Sequence, residues 1–501
     1  MVPYSQRQLV DLIKRVNFGD IDGLYDPNIN DYFIDNEYKQ SLLKDTKYFV
    51  IGRKGTGKSS LYNWLYRNQN DEDIMVANKS FNDFPFEKLL QLSDDAFSKP
   101  NQYQSIWKNI IYSEIARLII TDESNNPLDD NWDELHKYIN HIFGASIVDL
   151  HKEIVRKVSK SSSSIGYDSL FLNKEASHEI ELYDGYSNLT KINERLHIII
   201  SNYLKVNPSK LYVVQFDQLD DNYTQYTNRV EYIQCLISLF KSIYQINQSY
   251  RANGIPVKVI AYLRSDIFNQ FNRHDPESSR WEQYVLKLNW AIINKNDWND
   301  CTLLKLINAR ISHSLPELNH KSPFHIFFNG KRYGNKKYDS VFKYIVHRTF
   351  QRPRDLIQFC IKIQNEVIST NRLNWQTIIN AEKEYSLWLL GEIENEIAPQ
   401  IHDTESLYEL LRLFGREPYT LSVFRSAYNN YASHFQNYTY EEMLKLLYSF
   451  GIVFNVRLEN KKIVEQFSVI RNDRSVFNRD LNIKTHPGFY EGLHTIKFLN
   501  R

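Results

Sequence analysis

The stretch YFVIGRKGTGKSSLY, residues 48–62, decides how this chain reads. YFVI at 48–51 is a short β-type run, and the residues from Lys58 to Arg67 have a helical pattern. Between them lie Gly52, Gly55 and Gly57. The pattern G-x-x-x-x-G-K-[ST] is met in full by Gly52, Gly57, Lys58 and Ser59. Glycines let the backbone curl so that its N–H groups point inward at phosphate oxygens, and the following helix adds its positive N-terminal dipole. The segment therefore predicts a nucleotide-binding loop of Gly52, Arg53, Lys54, Gly55, Thr56, Gly57, Lys58, Ser59 and Ser60. Lys58 is expected to reach the β- and γ-phosphates of ATP, and the Ser59 hydroxyl to ligate Mg²⁺. A ligand-free glycine turn would match the same letters, but rarely between an apolar strand and a helix.

Three further segments fit around this loop. LYVVQF (211–216) is an apolar strand ending in Asp217, the pattern of a carboxylate that holds Mg²⁺ through water. The next position, where such ATPases often place a catalytic glutamate, is Gln218; an amide can orient a water but cannot take its proton. Asp220 or Asp221 is then the substitute, Asp220 first, with solvated turn acids as the plain alternative. VKVIAYL (257–263) places Arg264 at a strand end, where ligands of open α/β sheets sit. Arg264 either senses the γ-phosphate or pairs with Asp266. In RTFQRPRDLIQF (348–359), Pro353 suits the first turn of a helix, and Arg354 or Arg352 is placed to contact phosphate; capping that helix is the alternative role.

Short apolar runs alternating with helices predict a parallel sheet buried on both faces. Strands are expected at 48–51, 74–78, 211–216, 257–263 and 284–288. Helices are expected at 5–16, 86–98, 105–121, 229–248, 298–314 and 338–366. Residues 122–190, with the run SKSSSSIGYDS, read as an irregular insertion. Beyond Asn374 come short helices at 374–396, 404–415, 420–434 and 440–450, then β-like pieces at 452–458 and 463–470. Helices followed by a hairpin suggest a winged helix-turn-helix module. The expected organisation is an α/β core over 1–295, a helical lid over 296–373 and a winged-helix-like domain over 374–501.

The chain has 501 residues, a formal net charge of +1 and 42% hydrophobic residues, which supports more than one core and argues against a globally basic nucleic-acid coat. Cys235, Cys301 and Cys360 lie too far apart for a metal-ligand pattern or a disulfide framework. No apolar run has the roughly 18 residues of a membrane helix, and the N-terminus lacks a signal-peptide core. These features predict a cytoplasmic protein with no membrane partner. His274 and His486 are isolated, and turn or packing roles are expected of them.

Taken together, these elements resemble the AAA-like and STAND-like P-loop ATPases of bacteria. The resemblance is carried by FGDIDG (18–23), GRKGTGKS (52–59), DQLDD (217–221), RSDIF (264–268), RPRDL (352–356) and HPGFYEGL (486–493). It implies a P-loop NTPase core of the ASCE type with helices on both faces of the sheet, a helical lid and a C-terminal winged helix, related in layout to origin-recognition initiators. It also implies ATP and Mg²⁺ as ligands, with Asp217, Asp220, Arg264 and Arg354 in catalysis. Such ATPases often act as switches or motors in mobile elements and antiphage defence. The leading expectation is a slow ATPase coupled to homo-oligomerisation or to a partner protein. A DNA-binding initiator or loader is the second, and a nucleotide-gated scaffold without turnover the third. Arg457, Lys461, Lys462, Arg471, Arg474, Arg479 and Lys484 could meet DNA phosphates, but Glu459, Glu465, Asp473 and Asp480 dilute that charge. Protein docking or a solvated charged face fits the tail equally well.

Overall fold

The computed structural model describes residues 4–33, 37–44, 46–70, 73–80, 101–122, 130–143, 185–208, 210–220, 223, 229–292, 300–318, 322–328, 340–398, 400–459, 462–466 and 477–494. The chain forms two compact units. One comprises Met1–Ile34, Gly55–Gly57 and Asn289–Arg501, and the other Asp35–Lys54 and Lys58–Leu288. The first 34 residues group with the C-terminal half.

The second unit is an α/β layer structure. Its sheet contains β1 (Phe49–Gly52), β2 (Ile74–Ser80), β3 (Leu211–Asp217), β4 (Val257–Arg264) and β5 (Val285–Lys287) in the order β2-β3-β4-β1-β5. Every pairing is parallel. The chain steps inward from β2 to β4 and then passes over β1 to β5, so the strand order reverses at β1. Crevices for ligands lie at the C-terminal strand ends beside such a reversal.

Alternation along the strands assigns the two faces. Phe49, Ile51, Val214, Phe216, Val259 and Ala261 share one core with Trp107 and Ile111 of helix Gln104–Thr121 and with Leu236 and Phe240 of helix Arg229–Ala252. The intervening Val50, Val213 and Tyr262 are equally buried; Tyr262 meets Tyr62 of helix Lys58–Arg67 edge to face. Coverage on both sides explains why these strands read as continuous apolar runs rather than alternating ones.

Part of the segment expected to be irregular is helical, over Asp130–Phe143 and from Gly185 onward. In the first, Leu135 is buried in the core; the second, Gly185–Val206, packs on helix Gln104–Thr121. The run SKSSSSIGYDS and the expected helix 86–98 lie outside the described residues.

In the first unit, helix Gln6–Arg15 starts from a capping box made by Ser5 and Gln8, and buries Leu9, Val10 and Ile13. Those three join a core with Leu303, Ile307, Phe359 and Ile363. Gln364 Nε2 donates to Ile13 O at 2.8 Å and Val16 O at 2.6 Å, which satisfies carbonyls at the end of that helix. Arg310 Nη1 donates to Phe18 O at 2.5 Å and lies 3.3 Å from the fully buried Asp26. These contacts span almost 300 residues of sequence, so no local pattern announces them.

The helix expected at 338–366 is two helices, Val341–Val346 and Pro353–Thr370. Proline disfavours the α conformation in the residue before it, and Arg352 is extended at φ −106° and ψ 148°. Gln351 adopts a left-handed φ of 55°. Further on, helices Trp375–Ile397, Thr404–Arg412, Leu421–Asn429 and Tyr440–Ser449 precede an antiparallel sheet of β6 (Val453–Glu459), β7 (Lys462–Gln466) and β8 (Asn482–Thr485) in the order β7-β6-β8. β8 is an addition to the expected strands; four residues with alternating Ile483 and Thr485 inside give too short a signal to read.

Candidate functional site

The sequence brings a strand, a glycine turn and a helix together without a gap: β1 ends at Gly52 and the helix begins at Lys58. Gly55 and Gly57 take left-handed φ values of 80° and 91°, which side-chain-bearing residues adopt only with strain. Lys58 is buried, and its Nζ donates to Gly52 O at 3.1 Å and Arg53 O at 3.3 Å. Burial pushes its pKa down, while Asp220 and Asp217 act to hold the charge. Ser59 and Ser60 follow in the first helical turn. The loop apex belongs to the other unit, where the Arg354 N–H donates to Gly55 O at 3.3 Å and Trp290 Nε1 to Thr56 O at 2.8 Å.

Register fixes the neighbours of the loop within the second unit. Arg264 is the strand partner of Gly52, and β4 lies between β1 and β3. Asp217, ending β3, is 2% exposed. Its Oδ2 is buried with no hydrogen-bond partner. Burial raises its pKa from the usual carboxylate range to about 6, against the opposing influence of the Gln218 N–H, the Lys58 charge and the Ser59 hydroxyl. A buried carboxylate oxygen left unpaired beside a serine hydroxyl fits a hard cation, which favours oxygen ligands and retains several of its own waters. Among the described residues no group of three or more His, Cys, Asp or Glu side chains could hold a metal. A cation here would therefore depend on Asp217, Ser59, water and a phosphate.

Gln218 sits at a left-handed φ of 61°, and its Oε1 accepts a hydrogen bond from Ser80 Oγ at the end of β2. Asp220 Oδ2 lies 3.7 Å from Arg264 Nε. Arg264 also donates from Nε and Nη2 to both oxygens of Asp266, at 3.0 Å and 2.7 Å. The structure thus brings Lys58, Ser59, Asp217, Asp220 and Arg264 together; Asp221 lies outside the described residues.

Beneath this group runs a polar network that the motifs do not include. The fully buried Gln215 donates from Nε2 to Tyr62 O at 2.8 Å and to Asn78 Oδ1 at 2.6 Å, and accepts from Tyr262 at 2.9 Å. A glutamine inside the run LYVVQF is the available signal. The network ties β2, β3, β4 and the helix after the loop together two residues below Asp217, and satisfied buried networks of this kind rigidify their surroundings.

The arginines of RTFQRPRD separate into distinct roles. Arg352 is buried, paired with Asp355 at 2.9 Å and Glu396 at 3.3 Å. Arg348 pairs with Glu382. Arg354 lies 3.3 Å from Glu392, and its Nε is buried without a partner. Among the basic tail residues, Arg479 pairs with Glu441 at 2.6 Å; Lys461, Arg471 and Arg474 lie outside the described residues. His486 accepts from the Gly488 N–H at 3.1 Å, as a turn residue does. No helix of the described residues is long and apolar enough to cross a membrane.

Residues 301–394 match a family model, the FunZ-associated C-terminal helical domain. The chain is also 23% identical over 379 residues to a curated protein of Escherichia coli (strain K12) named for transposon gamma-delta, with a mass of 80.3 kDa. That match takes in 74% of this chain, which spans about half (49%) of the relative's length.

Proposed function

We propose that the chain is a P-loop ATPase of the ASCE type that binds ATP with Mg²⁺ and hydrolyses it slowly, as a switch or motor for assembly or for a partner. The observation that carries this reading is Lys58, held on the Gly52 and Arg53 carbonyls, together with a buried Asp217 carboxylate that has one oxygen without a partner beside Ser59.

On this reading the loop N–H groups and Lys58 bind the phosphates, with Lys58 exchanging its bonds to Gly52 O and Arg53 O for phosphate oxygens. Ser59 and Asp217 hold Mg²⁺, which when bound neutralises phosphate charge. Gln218, fixed by Ser80, orients water without taking its proton, and Asp220 is assigned as the acceptor. Arg264 supplies positive charge at the strand end, and Arg354 is the second candidate for that role. The helices and three-stranded sheet after Trp375 are read as a winged helix. The relative named for a transposon favours a setting in a mobile element, and with it the DNA-loading alternative; antiphage defence rests on the resemblance alone.

Phosphate release by the purified chain, followed under single-turnover conditions with Asp220→Ala, Arg264→Ala and Arg354→Ala beside the wild type, tests the catalytic half. Loss of hydrolysis with ATP still bound is expected for Asp220→Ala. Wild-type turnover in all three removes the assigned chemistry. DNA binding with a steep dependence on salt would favour the loader reading.

A further inference from the structure

Arg264 ends β4 directly beside Gly52, yet its guanidinium is already engaged. Two of its nitrogens meet the two oxygens of Asp266, at 3.0 Å and 2.7 Å, in the fork arrangement that arginine also offers to phosphate. Asp266 stands in the short helix Ser265–Phe268 that follows the strand. Its burial disfavours the charged form, but the Arg264 charge and hydrogen bonds outweigh this, with help from Arg53 of the loop, and keep its pKa below the usual carboxylate range. Asp220, 3.7 Å from Arg264 Nε, is a second and looser acid. A carboxylate and a phosphoryl group present two oxygens of similar spacing and charge. The Nε and Nη2 edge that holds Asp266 cannot hold a phosphate at the same time.

We propose that Asp266 is a built-in competitor for the terminal phosphate, holding Arg264 until a triphosphate draws it away and thereby setting how the site distinguishes a nucleoside triphosphate from a diphosphate. The inference rests on the nucleotide reading above. A diphosphate has no group to displace Asp266 and leaves the pair intact. A triphosphate that takes the Nε and Nη2 edge breaks the pair, so the strength of the pair subtracts from triphosphate affinity alone. Asp266→Asn keeps the shape and removes the charge. It should tighten binding of a non-hydrolysable ATP analogue about two- to fivefold, the size of one partly exposed ion pair, and leave ADP binding unchanged.

Titration calorimetry of ADP and of the analogue with wild type, Asp266→Asn, Arg264→Ala and the double variant decides the matter. Support is a gain confined to the triphosphate and absent when Arg264 is also removed. The proposal is overturned if both nucleotides shift alike, if triphosphate binding weakens, or if the gain survives loss of Arg264. Should Asp266→Asn fold poorly, Asp266→Ala carries the same expectation. Wild type that binds neither nucleotide would overturn the nucleotide reading itself, which separates that failure from this one.

Discussion

Two clusters of buried charge, one in each unit, use the same residue types to different ends. In the first unit Arg352 is 3% exposed and bonds to both oxygens of Asp355 at 2.9–3.1 Å, with Glu396 at 3.3 Å. Asp355 also accepts the Phe350 N–H at 2.9 Å. Burial works against the Arg352 charge, but Asp355 and Glu396 outweigh it and hold the guanidinium charged above its ordinary range. In the second unit Asp217 has an oxygen with no partner, and Lys58 is turned back onto loop carbonyls. The chain supplies partners for one cluster and leaves the other short. Buried charge completed by the protein itself marks architecture. Buried charge left incomplete marks a place for something brought from outside.

The comparison breaks most visibly at Arg352. Arg352→Ala leaves two buried carboxylates without their cation, and losing one partner of a buried pair costs about 3–5 kcal/mol. Urea unfolding should show that loss whether or not nucleotide is present. Lys58→Ala should behave differently. Removing a buried ammonium that burial already disfavours should change stability by no more than about 1 kcal/mol. ATP affinity, measured by calorimetry with Mg²⁺, should fall about 100-fold, or about 2.7 kcal/mol, because the one flexible cation aimed at the β- and γ-phosphates is gone. If Lys58→Ala unfolds as readily as Arg352→Ala while ATP affinity persists, the two clusters are alike and the loop is architecture.

How much of this is legible in the sequence depends on the range of each interaction. The strand-loop-helix at 48–62 and the apolar runs ending in Asp217 and Arg264 are local, and the structure has strands and a helix at those places. Which of Arg352 and Arg354 is buried is not local. The Arg352–Asp355 spacing sits within RPRD, but Glu396, the third member, comes from a helix 44 residues on. Gln215 is visible as a polar residue in an apolar strand, but its partners Asn78 and Tyr262 come from two other strands, and only sheet order brings them together. Asp26 and Arg310, paired within the first unit, are 284 residues apart.

The smallest effect is the most discriminating, because its sign is opposite to intuition. The Asp217 carboxyl has its pKa pushed up to about 6 in the folded chain, against an ordinary value of 3.8, because burial penalises its charge. A carboxyl whose pKa is raised on folding favours the folded state most when both states are protonated, below about pH 4. That advantage is lost as pH rises from about 4 to about 6, and a rise of this size corresponds to about 3 kcal/mol at most. Asparagine has the shape of the protonated acid and does not titrate. Asp217→Asn should therefore match wild type only below about pH 4 and be more stable at pH 8, by about 1–3 kcal/mol once the surroundings of the charged form relax. Urea unfolding of both proteins at about pH 3 and pH 8 measures this directly. The same variant should lose the extra thermal stability that Mg²⁺ with ATP gives wild type at the higher pH, since the unpaired oxygen that would meet the cation is gone. A variant less stable than wild type there would place Asp217 with Arg352, as a charge the fold needs for itself, and the contrast between the two clusters would end.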